Sequence, residues 1–256
     1  MTSGPPEPGA RPGPPDATVT LPIIGIIRSC FDDRFGIPRQ PGLAPHATAE
    51  LLLRSPYDVP EALTGLETCS HVWVQFLFHG TQHRGWRPTV RPPRLGGNRR
   101  TGVFASRSPY RPAPIGLSVV ALESVHTEAG RVGLRLRNHD FADGTPVLDI
   151  KPYLPWGDSL PHAQPPEGFE ASPAARLEVV FSDAALTVCE QAGDQGVPLR
   201  ALIEEVLQQD PRPAYRQRQA GHVHGMCLHG FDIRWQVENR RAEVITIVSQ
   251  ESRGSR

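Results

Sequence analysis

The segment GVFASRSPYRPAPIGLSVVALESV, Gly102–Val125, decides the fold class of this chain. Its two ends are rich in β-branched and apolar residues, a composition typical of strands. Between them, Arg107–Gly116 holds three prolines, which fix φ and remove backbone donors, so this part is neither a helix interior nor a central strand. The segment therefore predicts two strands joined by a stiffened loop that presents Arg107 and Arg111.

Further short apolar runs on both sides of this segment repeat the pattern of strand and turn. They predict strands at Val19–Ser29, His71–His79, Arg100–Ser106, Leu117–His126, Arg131–Asn138 and Pro146–Ile150. Strands do not alternate with helices here, and neither a GxGxxG nor a GxxxxGK[ST] phosphate motif occurs, which argues against a Rossmann-type sheet. The pattern is typical of a mainly β protein with a barrel or sandwich.

The C-terminal part has a different pattern and follows a polar, proline-rich linker, Pro161–Pro173. After a strand at Ala175–Phe181, Ser182 is expected to cap a helix that stops by Gly193. In Pro198–Gln209 apolar residues recur every three to four positions, which predicts a second helix, and three strands follow. The expected organisation is a disordered tail at 1–18, a β-barrel catalytic domain at 19–165 and an α+β domain at 174–250.

The charge of the chain is balanced in total but uneven along its length. There are 27 basic and 27 acidic residues, so the net charge gives no sign of a polyanionic partner. From Arg84 to Arg111, however, there are eight arginines and no acidic residue. This run fits either a solvated surface or an anion-binding surface, and the interleaved Trp86 and Tyr110 favour nucleic acid.

Cysteine usage and hydropathy indicate the compartment. The four cysteines form no CxxC pair, which is typical of reduced thiols. No apolar run approaches the roughly 18 residues of a membrane span, and the first residues lack the apolar core of a signal peptide. We therefore expect a cytoplasmic protein without a membrane partner.

Several polar motifs next to the predicted strands carry a family resemblance. FGIPRQP, VRPPRLGG, GVFASRSPYRPAPIGLS and LDIKPYLPWGD, in this order, resemble the TsaA-like family. DPRPAYR and HGFDIRW resemble its bacterial tRNA (adenine-N6) methyltransferase branch, and the resemblance spans about Ile23 to Ile247. It implies a non-Rossmann β-barrel enzyme that uses S-adenosylmethionine (SAM) and forms a homodimer with SAM near the subunit interface. The implied reaction is N6-methylation of N6-threonylcarbamoyladenosine at tRNA position 37.

The resemblance and the side-chain chemistry together indicate a cofactor site. An arginine fork suits the carboxylate of SAM, which favours Arg107, and Asp149 suits the ribose hydroxyls or the ammonium group. Gly116 is expected to let the cofactor approach the backbone. The alternative for Arg107 and Asp149 is a salt bridge with each other or with a neighbour. The predicted cofactor set is Pro38, Arg39, Gln40, His79, Gly80, Arg107, Leu117, Asp149, Ile150, Lys151 and Pro152.

The acceptor implied by the resemblance is an amide-like N–H, which is a poor nucleophile. We therefore expect catalysis to rest on orientation, with Asp149 or His79 taking the proton as the new bond forms. Lys151 and Tyr153 are expected to position the threonylcarbamoyl group. The predicted catalytic residues are Asp149, Lys151 and Tyr153.

Arginines and aromatics on predicted loops indicate where the anticodon loop of tRNA binds, because RNA loops are held by phosphate contacts and base stacking. The alternative is that these arginines are simply solvated and that the aromatics pack under loops. The predicted tRNA-binding residues are Arg94, Arg99, Tyr110, Arg111, Arg212, Tyr215 and Arg216.

Three other interpretations compete with this one. His222, His224, Cys227 and His229 are metal-ligand types, but their spacing matches no common zinc pattern, so we expect no metal. A non-enzymatic RNA-binding barrel of the same family is the second, because Ala113 and Gly80 stand where the family has asparagine and often glutamine. A phosphoester hydrolase is the third, and the predicted loops lack the Asp/His constellation it would need.

Overall fold

The computed structural model describes residues 19–33, 35–95, 97, 99–127, 130–170, 177–212 and 221–250, with the side chain of Arg94 left out. The tail expected at 1–18 lies outside the described residues. No helix in the described ranges is both long enough and apolar enough to cross a lipid bilayer.

The N-terminal part is a closed, six-stranded antiparallel barrel. Its strands follow one another around the barrel in the order β1-β2-β7-β6-β3-β8, and β4 and β5 pair separately as a small hairpin. Their bounds are β1 Gly25–Ser29, β2 Thr48–Leu53, β3 His71–Leu77, β4 Thr89–Val90, β5 Thr101–Gly102, β6 Ile115–His126, β7 Gly133–Arg137 and β8 Pro146–Pro152. The prediction of a mainly β fold with a small barrel is confirmed.

The alternation of buried and outward-facing residues along β3 shows how side chains fill the barrel interior. Val72, Val74 and Phe76 are buried in the interior, while the residues between them face outward. The ring of Phe76 lies against Gly116 of β6, where an added Cβ would stand 2.3 Å from Phe76 Cζ. This glycine therefore makes room for a core phenylalanine, and its interpretation as an approach for the cofactor stays a prediction.

The strand expected at Arg100–Ser106 is only partly formed. Strand β5 ends at Gly102, and Val103–Ala105 is a single turn of 3-10 helix. Val103 is 1% exposed, so the chain turns at this point to bury its side chain, and Phe104 is left 74% exposed. The apolar composition of the segment is typical of a strand and gives no sign of this turn.

The C-terminal part is a four-stranded sheet with two helices, in the strand order β10-β11-β12-β9. The remaining elements are α1 Pro155–Asp158, β9 Glu178–Phe181, α2 Asp183–Asp194, α3 Leu199–Gln208, β10 His224–Leu228, β11 Phe231–Glu238 and β12 Arg241–Ser249. The side chain of Ser182 accepts a hydrogen bond from Ala185 N, as expected of an N-cap. Gly193 does not end α2, which continues to Asp194.

The segment between β1 and β2, residues 30–47, is shared by the two parts. Cys30, Phe31, Ala44 and Ala47 are buried in the core of the C-terminal sheet and helices, not in the barrel. Cys30 O accepts a hydrogen bond from His229 N at 2.9 Å, and Asp32 Oδ2 accepts one from Gly230 N at 2.7 Å. This shared segment therefore joins the barrel to the C-terminal core.

Candidate cofactor and tRNA site

Three of the predicted cofactor residues lie on one outer face of the barrel, formed by β6, β3 and β8. The register places Leu117 and Asp149 on either side of Gln75, and Lys151 beside Trp73. These side chains point away from the barrel interior because they alternate with buried ones, and Leu117 is 49% exposed. The strands thus bring three predicted site residues onto a single surface.

Asp149 and Lys151 form an ion pair on this face. Lys151 Nζ lies 2.6 Å from Asp149 Oδ2, and both side chains are about half exposed. The other carboxylate oxygen, Oδ1, accepts a hydrogen bond from Ile150 N at 2.9 Å. The side chain of Ile150 packs on the barrel core, so only its backbone lies near the outer surface. Pro152 ends β8 and is exposed.

Arg107, in the loop that leads into β6, meets Gln40 of the segment between β1 and β2. Arg107 Nη1 donates a hydrogen bond to Gln40 Oε1 at 2.6 Å, and the exposed guanidinium leaves further N–H groups near the surface. Gln40 Nε2 donates to Arg39 O, and Pro38 is half-buried beside them in the shared segment. Arg107 and Asp149 form no ion pair with each other, but the alternative of a salt bridge with a neighbour holds for Asp149, which pairs with Lys151.

The first half of β6 has a backbone edge next to these residues. Strand β7 pairs with β6 only from Ala121 onward, so the described strands leave Leu117 with a ladder partner on the β3 side alone. Asp140, in the loop after β7, lies along that edge and accepts a hydrogen bond from the buried Ser118 Oγ at 2.7 Å. An unpaired strand edge can hold the hydrogen-bonding edge of a ligand.

Asp140 was not among the sequence-predicted residues. Burial raises the pKa of Asp140 to about 6, while the Ser118 hydroxyl and the positive charge of Arg107 act in the opposite direction. The Asp140 carboxyl therefore interacts electrostatically with the Arg107 guanidinium. The available signal was an acidic residue following a strand, in NHDFADG, but its contact with Ser118 is long-range and does not show in sequence.

His79 and Tyr153 lie at opposite ends of the face. His79 is exposed just beyond β3 and next to Gly80, where Phe78 N donates to Pro114 O at 2.8 Å. Tyr153 follows β8, and its ring lies 6.0 Å from the ring of Trp73. Because β3 and β8 are antiparallel, His79 lies past the end of the face that carries Asp149, and Tyr153 lies past the end that carries Lys151. The face is thus bounded by an imidazole at one end and a phenol at the other.

The predicted tRNA residues on the loop between β3 and β6 are mostly engaged with other groups of the protein. Tyr110 is covered by the Arg87 guanidinium, 4.8 Å from its ring centroid. Arg111 donates to Val103 O at 3.2 Å and to Ser106 O at 2.6 Å. Arg99 is exposed and pairs with Glu167 at 2.7 Å, and of Arg94 only the backbone is described. This loop is therefore held together by its own arginines.

Arg212 departs from its predicted role. Its side chain is 6% exposed and forms a forked ion pair with Asp210 at 2.8 and 3.0 Å. A guanidinium committed in this way is not available for a surface contact with RNA, so the structure argues against direct tRNA binding by Arg212. Tyr215 and Arg216 lie outside the described residues.

A separate cleft of about 570 Å³ lies between the barrel and the C-terminal part. It borders β1, β2 and β7, on the side of the barrel away from the candidate cofactor face. Two of its three arginines have acidic neighbours, with Arg137 Nε 3.1 Å from Glu123 and Arg28 Nη1 3.8 Å from Asp143. These carboxylates oppose the binding of an anion beside the two arginines.

The histidines near the C-terminus form an aromatic cluster. The His224 ring lies 4.7 Å from the rings of both His222 and Trp235. Within the described ranges, no group of three or more His, Cys, Asp or Glu side chains is arranged to hold a metal ion.

Comparisons with known proteins agree over nearly the whole folded chain. The model of the tRNA-methyltransferase O N-terminal domain matches residues 26–159, and that of the TrmO C-terminal domain matches residues 174–250. The chain is 48% identical over 228 residues to the tRNA (adenine(37)-N6)-methyltransferase of Escherichia coli K12, covering 88% of this chain and 95% of that protein. It is 49% identical over 219 residues to a putative S-adenosylmethionine-dependent methyltransferase, RcsF, of Pseudomonas aeruginosa, covering 85% and 92%.

Solved structures give the same result. The crystal structure of TrmO from Pseudomonas aeruginosa superposes with a TM-score of 0.76 at 37% identity and covers 91% of this chain and all of that one. The similarity therefore includes both the barrel and the C-terminal sheet.

Proposed function

The chain belongs to the TrmO family of tRNA methyltransferases, and from this membership we propose that it methylates N6 of N6-threonylcarbamoyladenosine at position 37 of tRNA. At the coarser level it is a SAM-dependent tRNA (adenine-N6) methyltransferase, as curated relatives with 47 to 49% identity indicate. The observation that supports the finer proposal is the Lys151 ammonium, exposed beside Asp149 on the outer barrel face, where it could meet the threonyl carboxylate.

The residues of this face fit SAM by their chemistry. The exposed Arg107 guanidinium would hold the carboxylate of the cofactor, since further N–H groups remain beside its bond to Gln40. The β6 edge at Leu117 would accept the adenine edge, and Asp149 would hold the ribose or the ammonium group. When bound, SAM supplies an electrophilic methyl group on its sulfonium.

The chain's own residues orient the acceptor for an in-line transfer. The new bond would join the methyl carbon to N6 as the sulfur–methyl bond breaks, and a base on the protein would take the N6 proton. Asp149 or His79 would take this proton, and the Lys151 ammonium, 2.6 Å from Asp149, would lie beside the threonyl carboxylate of the substrate. Holding the two reactants in register accounts for most of the expected acceleration.

We further propose that the chain acts as a homodimer. Several large apolar side chains stand exposed around the candidate face and the α1 turn, and a second copy would cover them: Leu117 (49%), Leu154 (43%), Trp156 (87%) and Leu160 (74%). Sedimentation equilibrium tests this directly. Trp156→Asp should shift the protein toward monomer, and a monomeric wild-type protein would contradict the proposal.

The decisive experiment compares two tRNA substrates. Purified protein is incubated with radiolabelled SAM and either threonylcarbamoylated tRNA or the same tRNA without that group. We expect methyl transfer only to the modified tRNA, since Lys151 and Tyr153 would otherwise lack the group that they position. Equal transfer to both would contradict the proposed substrate but leave the adenine N6 activity standing.

A further inference from the structure

The most exposed aromatic ring of the long loop between β3 and β6 belongs to Phe104. It is 74% exposed, although the preceding Val103 is 1% exposed and anchors the 3-10 turn that carries both. The turn therefore fixes the direction of Phe104 while its ring faces solvent. A rigidly presented phenylalanine without cover is unfavourable in water, unless another molecule covers it.

Arg111 supports this ring from behind. Its guanidinium lies 5.7 Å from the Phe104 ring centroid. Arg111 Nη1 donates to Ser106 O at 2.6 Å and to Val103 O at 3.2 Å, and these carbonyls flank Phe104 in sequence. Arg111 thus braces the turn, and its guanidinium lies over one face of a ring that stays largely exposed.

The surroundings of Phe104 are positively charged and aromatic. Trp86 is 56% exposed and precedes β4, while Phe104 follows β5. Val103 N donates to Pro88 O at 3.0 Å, which extends the β4–β5 hairpin, so both rings leave from the same end of it. The sequence from Arg84 to Arg111 holds eight arginines and no acidic residue. This combination suits a polyanion with flat bases better than an apolar protein surface.

We propose that Phe104, braced by Arg111, is a stacking platform for an unpaired base of the RNA substrate. The inference rests on the proposed function for its RNA class, since bases in RNA loops are splayed and stack on aromatic side chains. Phe104 is three residues from Arg107 in the same loop, so a base held there would lie close to the candidate cofactor face. Arg111 then acts as a positioning residue.

The first test measures binding of a fluorescent anticodon stem-loop RNA by anisotropy, without any methyl transfer. Because stacking on an aromatic contributes about 1–3 kcal/mol per base, Phe104→Ala should weaken binding roughly 5- to 140-fold. Phe104→Trp should retain or improve it. Tyr57→Ala, an exposed aromatic outside the loop, is the matched control and should bind like the wild type.

Two further binding measurements, one at increasing salt and one with duplex RNA, separate a stacking contribution from a charge contribution. The ratio of wild-type to Phe104→Ala affinity should stay constant as salt rises, whereas loss of a phosphate-contacting arginine would flatten the salt slope by about 0.7 for single strands. Arg111→Gln should also weaken binding of the loop RNA. A blunt RNA duplex, which offers no splayed base, should show no difference between wild type and Phe104→Ala.

Three results would overturn the inference. They are unchanged loop-RNA binding by Phe104→Ala, an equal loss for loop and duplex RNA, and a change in sedimentation coefficient that shows Phe104 to be a contact between two copies. These results differ from a failure of the proposed function. If the protein binds loop RNA through Phe104 but does not methylate threonylcarbamoylated tRNA, the proposed reaction is contradicted and the stacking role of Phe104 is not.

Discussion

Arg107 and Gln40 are joined by a 2.6 Å hydrogen bond across a sequence separation of 67 residues. The bond ties the proline-rich loop before β6 to the segment between β1 and β2. It orients the guanidinium by one of its N–H groups and leaves others for a ligand. The position of the predicted carboxylate-binding arginine thus depends on two loops and not on one.

Arg107→Gln should weaken SAM binding with little effect on folding. A hydrogen bond to a charged group contributes about 1.5–3 kcal/mol, so the dissociation constant should rise roughly 10- to 150-fold. Isothermal titration calorimetry measures it. Arg107→Lys should recover only part of the affinity because a lysine lacks the planar fork. An unchanged constant in Arg107→Gln would remove this residue from the cofactor site.

Lys151→Ala should impair catalysis more than it impairs cofactor binding. Its ammonium pairs with Asp149 on the outer face and is proposed to contact the threonylcarbamoyl group. Loss of that charged contact should lower kcat/KM for modified tRNA by roughly 10- to 150-fold, while the SAM dissociation constant changes little. Steady-state kinetics at subsaturating tRNA measures this. Normal rates would exclude a role for Lys151 in positioning the substrate.

Asp140→Asn should change how stability depends on pH. Burial raises the pKa of Asp140 from 3.8 to about 6, so the folded protein holds this proton more tightly than the unfolded chain. That contribution to stability is fully present below about pH 3.8 and is lost as the pH rises through about 6. The asparagine keeps an acceptor for Ser118 without a charge. The thermal midpoint of Asp140→Asn, relative to that of the wild type, should therefore be higher at pH 7.5 than at pH 5.

An exposed carboxylate, Asp194, serves as the control for the effect of Asp140 on the pH dependence of stability. Asp194 is exposed at the end of α2, and Asp194→Asn should leave the pH profile parallel to that of the wild type. If Asp140→Asn also runs parallel to the wild type, the burial of this carboxyl does not control the pH dependence.

Arg212→Ala should destabilise the C-terminal core. Both partners of the Arg212–Asp210 pair are about 6–7% exposed, so removing the guanidinium leaves a buried carboxylate without its ion-pair partner. Breaking such a pair typically costs about 3–5 kcal/mol of unfolding free energy. Urea denaturation measures the loss, and Arg200→Ala, an exposed arginine of an i,i+4 pair, should lose less than about 1 kcal/mol. Weaker tRNA binding with full stability would instead restore the predicted RNA contact.

The sequence allowed the barrel to be predicted because its signals are local. The alternation in His71–Leu77 and the turn residues between strands are visible in short windows. The motifs around Arg107 and Asp149 also mark the candidate site, since each is contiguous in sequence. Whether these residues perform the predicted roles stays a prediction.

Other features depend on contacts between distant residues, which no local pattern encodes. Gly116 faces Phe76, 40 positions away, and the Asp140 carboxyl, in the loop after β7, receives its hydrogen bond from Ser118 on β6. The run VFAS looked like a strand because its composition is apolar, yet burial of Val103 turns the chain there. The sequence predicts Arg212 at the surface, whereas its side chain is buried with that of Asp210.

The shared segment also bears on how the protein unfolds. Gln40 belongs to a stretch whose Phe31 and Ala44 are packed in the C-terminal core, so local melting of that core would release the partner of Arg107 as well. The barrel and the C-terminal sheet then form one cooperative unit, and SAM binding should protect amides of β10 and β11 from hydrogen exchange. By the same linkage, RNA that stiffens the C-terminal part would raise the affinity for the cofactor.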